Sequence, residues 1–187
     1  MGQILGIIGG GQLGMMLTEA AKNMPLDISK IIVLDPTENC PASKVGAEQI
    51  VADFKDESSI RELAERSDII TYEIESGNST VLKKLEPTCQ INPSPETLEI
   101  IQDKLTQKKF LKENNIPVGK FSEITFRSEL EAKIEEFGLP ILLKTRRDAY
   151  DGRGNFKITS MEQISDALNL FEGRSLMVEE FVDFKME

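Results

Sequence analysis

Short, β-branched apolar runs alternate with amphipathic stretches along this chain, and that alternation limits its folds more than any other feature. Ile4–Ile8 and Ile31–Leu34 are continuous and apolar, and Ile50–Ala52 and Ile69–Tyr72 look similar. Between them lie Leu13–Lys22, Ser58–Arg66 and Thr80–Glu86, whose apolar positions follow a helical period. A strand that is apolar along its whole length is buried on both faces, the condition of a parallel sheet covered by helices. The alternation therefore predicts an α/β domain with right-handed crossovers.

Asn92-Pro93-Ser94-Pro95 interrupts this pattern. Helical stretches follow at Glu96–Ile101 and Lys104–Glu113, then Asn114-Asn115-Ile116-Pro117 breaks the chain again. The sequence thus divides into a parallel-sheet domain over 1–92, a helical linker over 93–116 and a second lobe over 117–187. That lobe reads as strand Lys120–Ile124, helix Ser128–Phe137, strand Ile141–Thr145, a glycine loop, strand Phe156–Thr159, helix Met161–Leu170 and strand Leu176–Val182, an α+β order. No closing helix follows the last strand, so the chain is expected to be the front portion of a longer protein.

Composition removes several classes of chemistry. There is no His, which excludes a His-based triad, a His general base and an imidazole zinc site. Cys40 and Cys89 stand far apart and form no metal or redox motif, so a reduced, cytoplasmic protein is expected. A net charge of −10 argues against nucleic-acid binding, and no apolar stretch is long enough to span a membrane.

The first apolar run ends in Gly9-Gly10-Gly11-Gln12-Leu13-Gly14, and Asp35 closes the second. Gly9, Gly11 and Gly14 satisfy G-x-G-x-x-G between a strand and a helix, and an acid at the second strand end completes the dinucleotide fingerprint. Glycines allow close backbone approach, and free N–H groups at the helix start favour an anion. Two readings stay open here. One is an NAD-dependent oxidoreductase. In the other the glycines shape a turn for something smaller, and Asp35, followed by Pro36, caps a turn.

A second cluster is more specific. An apolar strand delivers Lys144 into Thr145-Arg146-Arg147-Asp148-Ala149-Tyr150-Asp151-Gly152-Arg153-Gly154-Asn155. Four cations from Lys144 to Arg153, in an acidic protein and around two glycines, suit a polyphosphate covered by a loop. Lys144 stands out, because an amine at the end of a buried strand needs a partner.

Lys144-Thr145-Arg146-Arg147 with Tyr150–Asn155 resembles the 5-(carboxyamino)imidazole ribonucleotide synthases, ATP-grasp ligases of purine biosynthesis. Gly9–Met16, Tyr72-Glu73-Ile74-Glu75 and Asp103–Lys108 resemble the same family, so the likeness covers essentially the whole chain. It implies a Rossmann-like pre-ATP-grasp sheet domain that binds no NAD, then the ATP-grasp small lobe and the start of a truncated large lobe. The implied reaction uses ATP to phosphorylate bicarbonate to carboxyphosphate, whose carbon dioxide is captured by the amine of 5-aminoimidazole ribonucleotide. Magnesium is implied as well, with its ligands beyond residue 187 and no metal ligand within this chain. The complete enzyme would be a homodimer.

The resemblance also assigns residues. Lys144 and Arg153 take catalytic roles on the phosphates. ATP contacts fall on Lys104, Lys144, the loop Ala149, Tyr150, Asp151, Gly152, Arg153, Gly154 and Asn155, the adenine hinge Glu179, Glu180, Phe181 and Val182, and Glu187 for the ribose hydroxyls. Gly11, Gln12, Glu73, Tyr150, Asp151 and Arg153 would border the ribonucleotide. Relatives often carry arginine where this chain has Lys104, and Gly-Gly where it has Asp148-Ala149. The rival readings are another ATP-grasp ligase and an NAD-binding oxidoreductase fragment.

Overall fold

The computed structural model describes residues 2–25, 27–149 and 154–184. The chain divides into two compact units, 1–99 and 100–187. The segment 93–116 holds two helices, α5 (Pro95–Ile101) and α6 (Lys104–Glu113).

In the first unit the apolar runs become β1 (Gln3–Ile8), β2 (Ile28–Leu34) and β4 (Ile69–Tyr72), with α1 (Gln12–Asn23), α3 (Glu57–Glu65) and α4 (Ser79–Leu85) between and after them. With β3 (Glu48–Ile50) and β5 (Gln90–Ile91), all strands pair in parallel, in the order β3-β2-β1-β4-β5. β1 is central, with Ile8 level with Leu34 on one side and Tyr72 on the other. Ile7, Ile8, Ile32, Val33, Leu34 and Ile70 are fully buried, as expected of strands covered on both faces. The chain steps outward from β1 through β2 to β3, then returns to β4 on the opposite side. The strand order therefore reverses between β1 and β4, which opens a crevice at their carboxyl ends.

Three short elements escaped or shifted from the sequence reading. β3 occupies Glu48–Ile50, not Ile50–Ala52. It is an edge strand, paired only with β2, so it needs no continuous apolar run. Glu48 instead meets Lys30 and Arg66 at the rim, and the Asp35 N–H donates to Ile50 O at 3.1 Å where the pairing ends. α2 (Pro41–Lys44) and β5 (Gln90–Ile91) are too short to print a period.

The second unit is an antiparallel sheet in the order β6-β9-β7-β8, formed by β6 (Phe121–Ile124), β7 (Ile141–Thr145), β8 (Asn155–Ile158) and β9 (Leu176–Glu180). Its two faces differ. Ile124, Ile141, Leu143, Ile158, Leu176 and Val178 pack with Leu130 and Ile134 of α7 (Arg127–Phe137) and Ile164 and Ala167 of α8 (Ile164–Leu170). Register puts the alternate set on the other face: Leu142 opposite Glu179, and Lys144 opposite Met177 and Asn155. That face carries the charged groups.

Candidate functional site

Two clusters emerge, one in each unit. In the first, the glycine turn follows β1 at the crevice. Gly9 has φ +104, and a Cβ there would lie 2.5 Å from Glu73 Oε1, so only glycine fits. Asp35 is buried, and it ties the turn: its Oδ2 accepts from the Gly10 N–H at 2.8 Å and its Oδ1 from the Thr37 N–H at 2.8 Å. Both oxygens thus accept from backbone N–H groups, which is the turn-capping alternative of the sequence reading. α1 starts at Gln12 with Gly11 as its cap, a residue with no side chain to accept from the first N–H groups.

Glu73, just past β4, lies against this turn. Burial pushes its carboxyl up, and the charges of Asp35 and Glu75 add to the shift. Gly11, Gln12 and Glu73, expected from sequence to border one ligand, are brought together at the switch point, with Gly11 3.7 Å from Glu73 Oε1 when measured from a Cβ position. The turn offers N–H donors, and Glu73 offers an acceptor for a hydroxyl or amine.

In the second unit, Lys144 projects from β7 and finds its partner. Its Nζ is 2.9 Å from Glu179 Oε2 of β9. Lys108 of α6 approaches the other oxygen, with Nζ 3.4 Å from Glu179 Oε1. One buried carboxylate therefore serves two ammonium groups, and the cluster stays net positive. Lys104, one helical turn before Lys108, donates to Ala149 O at 3.1 Å and approaches Thr145 O at 3.5 Å. The Thr145 N–H donates to Gly154 O at 2.9 Å, closing the base of the loop. Three lysines thus surround the strand end from which the loop departs, an arrangement suited to a polyanion.

The arginines of the same segment do something else. Arg146 forks onto Asp103, with Nε 3.1 Å from Oδ1 and Nη2 2.6 Å from Oδ2, and also meets Glu123. Arg147 Nε is 3.2 Å from Asp103 Oδ2. Of the four cations of this segment, Arg146 thus pairs with Asp103 and Glu123 and Arg147 with Asp103, while Arg153 lies outside the described residues. Asp148 has φ +54, a left-handed conformation in which glycine is at ease, and Arg174 donates to the carbonyls of Arg147 and Asp148 at 2.7 and 2.9 Å.

The hinge residues continue from β9. Glu179 spends its side chain on lysines, while the Glu180 N–H donates to Lys120 O at 3.0 Å. Phe181 carries the Lys157 ammonium 3.5 Å from its ring centroid, and Val182 is exposed. Asn155 opens β8 level with Lys144. Tyr150, Asp151, Gly152, Arg153 and Glu187 lie outside the described residues. Among the described residues no group of three or more metal-ligating side chains gathers at one point, and no helix is long and apolar enough to cross a membrane.

Residues 1–102 match the model of the ribonucleotide synthetase pre-ATP-grasp domain, and residues 109–187 match that of the ATP-grasp domain. This chain belongs to the ribonucleotide synthetase pre-ATP-grasp family. Over its whole length it is 38% identical to the N5-carboxyaminoimidazole ribonucleotide synthase of Staphylococcus epidermidis, covering 49% of that protein. It is similar to the structure of N5-carboxyaminoimidazole synthetase from Staphylococcus aureus complexed with ADP, with a TM-score of 0.91 and 34% identity over 98% of this chain and 48% of that one. It is also similar to the Aspergillus clavatus synthase in complex with ADP and 5-aminoimidazole ribonucleotide, at a TM-score of 0.89 and 33% identity over 99% of this chain and 48% of that one. The chain spans about half the length of the curated relatives it matches.

In this pre-ATP-grasp family member, three residues of the second cluster were given no role from the sequence. Lys108 and Lys104 sit four apart on α6, a spacing that places them on one helix face and was available as a signal. Asp103 was available only as part of a motif, because nothing local says that its partner lies on β7. Lys157 had no sequence signal; its place is set by the register of β8.

Proposed function

We propose that the intact protein carrying this chain is a 5-(carboxyamino)imidazole ribonucleotide synthase, an ATP-grasp ligase of the cytoplasm. The observation that carries the proposal is the lysine cluster on β7 and α6 at the base of the loop, in a chain similar throughout to a synthase bound to ADP and 5-aminoimidazole ribonucleotide.

Lys144, with Lys108 and Lys104 close by, supplies positive charge for the ATP phosphates. Glu179 holds Lys144 and Lys108 in place before the nucleotide arrives, so less reorganisation is needed at the moment of reaction. Phosphoryl transfer depends chiefly on positioning and charge stabilisation, so this chain needs no nucleophilic side chain. A bicarbonate oxygen bonds to the γ-phosphorus as the bond to ADP breaks, giving carboxyphosphate. Carboxyphosphate then yields carbon dioxide and phosphate. The amine of 5-aminoimidazole ribonucleotide bonds to the carbon and loses a proton, forming the carbamate. In the first unit, the N–H groups at Gly11 and Gln12 donate to the ribonucleotide and Glu73 accepts from it. Magnesium, whose ligands the resemblance places beyond residue 187, would add charge neutralisation at the phosphates.

The test is phosphate release by the intact protein. Release from ATP should require both bicarbonate and 5-aminoimidazole ribonucleotide, and Lys144→Met should lower kcat/KM about 100- to 1,000-fold. A folded Lys144→Met protein with unchanged turnover overturns the phosphate role, and release independent of the ribonucleotide overturns the substrate.

A further inference from the structure

The geometry points to Asp103 as the positioning residue that sets the lysines of α6 against Lys144. This inference rests on the proposed ATP site and adds what holds that site in register.

α6 is weakly anchored by apolar packing. Leu105 is its one buried side chain, and the rest of the helix is polar or partly exposed. Burial of one leucine does not fix how far a helix is rotated or slid along a sheet. Asp103 supplies the missing constraint. Its side chain is 4% exposed and takes five donors from two directions. Oδ1 accepts from the N–H groups of Leu105 at 3.0 Å and Thr106 at 3.2 Å, capping α6, and from Arg146 Nε at 3.1 Å. Oδ2 accepts from Arg146 Nη2 at 2.6 Å and Arg147 Nε at 3.2 Å.

The backbone is tied at the same point, since the Lys104 N–H donates to Arg146 O at 2.9 Å. A two-pronged guanidinium contact fixes angle as well as distance. The consequences are carried along the helix. Lys104 follows Asp103 directly and reaches Ala149 O at the start of the loop. Lys108, one turn later, reaches Glu179 and through it meets Lys144. The Arg146 and Arg147 charges balance the Asp103 carboxylate. Burial alone would raise this carboxyl, but hydrogen bonds from Arg146 and the Thr106 N–H, with the Arg146 charge and Arg147, bring it below the usual range. The ion is therefore the form present near neutral pH.

Asp103→Asn separates the two roles. Asparagine retains an oxygen to cap α6 but loses the charged second oxygen. In the intact protein, the KM for ATP should rise about 10- to 100-fold, the effect of displacing a charge by about an ångström, with the KM for 5-aminoimidazole ribonucleotide unchanged. Arg146→Lys keeps the charge and loses the fork, so it should raise the ATP KM similarly, and the double variant should be no worse than either single one. Amides of α6 should exchange faster than in the parent, while those of α7 do not. Unchanged ATP kinetics and unchanged α6 exchange in folded Asp103→Asn overturn the inference. So does an equal rise in both KM values with a matching loss of thermal stability. If the parent protein binds no ADP by calorimetry, the ATP reading fails separately, and the exchange of α6 still decides whether Asp103 positions the helix.

Discussion

Glu73 and Glu179 are both half or fully buried carboxylates at strand ends, yet their surroundings give them opposite characters. Glu179 is answered by two lysines, whereas Glu73 meets Asp35 and Glu75 and a turn of glycines. The sequence presents both simply as acids in motifs, and only the fold reveals which one has cations beside it. A carboxyl whose value is raised on folding binds its proton more tightly in the native state. Stability is then lost as pH rises from the unfolded carboxyl value through the raised native one. Glu73→Gln should remove that loss. Thermal unfolding from pH 4 to pH 8 without ligand should show the variant gaining a few degrees at most over the parent at neutral pH, and losing the gain in acid. A parent that becomes steadily more stable across that window relative to the variant contradicts the assignment. Lys144→Met bears on the fold as well as on ATP. The pairing of Lys144 with buried Glu179 means that its removal leaves the carboxylate with Lys108 alone, so a cost of about 1–3 kcal/mol is expected in urea unfolding, below that of a fully orphaned buried charge.

At the scale of elements, legibility followed burial and length. The central strands β1, β2 and β4 were plain in the sequence because a strand covered on both faces must be apolar throughout. Edge strand β3 was misplaced because its outward Glu48 is held by ion pairs and only Ile50 is buried, which leaves no period. Helix starts are set by caps that the periodicity does not show. Asn78 Oδ1 accepts from the Val81 N–H at 3.1 Å and so begins α4, whose Val81, Leu82 and Leu85 are buried. Asn78→Ala leaves that N–H without its acceptor, and a loss of about 1 kcal/mol is expected, read as a lower urea midpoint at unchanged slope. Asn78→Ser, another good cap, should recover most of it. A midpoint that does not move in Asn78→Ala would mean that packing of the buried face alone starts the helix.

For the molecule as a whole, the two clusters belong to different units, and the proposed function distributes its ligands in the same way. Gly11, Gln12 and Glu73 are in residues 1–99, while Lys104, Lys108, Lys144 and Glu179 are in residues 100–187. The glycine motif of the first unit, taken alone, suggested a dinucleotide; the loop of the second suggested a polyphosphate, and only their occurrence together separated the readings. Hydrogen exchange of the intact protein can separate them again. ADP should protect β7, β9 and α6, and 5-aminoimidazole ribonucleotide should protect the turn after β1 and the end of β4. At about 100 times Kd a ligand stabilises what it binds by about 2.7 kcal/mol, so amides that exchange only by opening the site should slow about 100-fold. NAD should produce no saturable protection at Gly9–Gly14, because on the proposed reading that turn borders 5-aminoimidazole ribonucleotide and Asp35 caps the turn. Saturable protection of that turn by NAD, with β7 and α6 unaffected by ADP, would restore the oxidoreductase reading and remove the ligase.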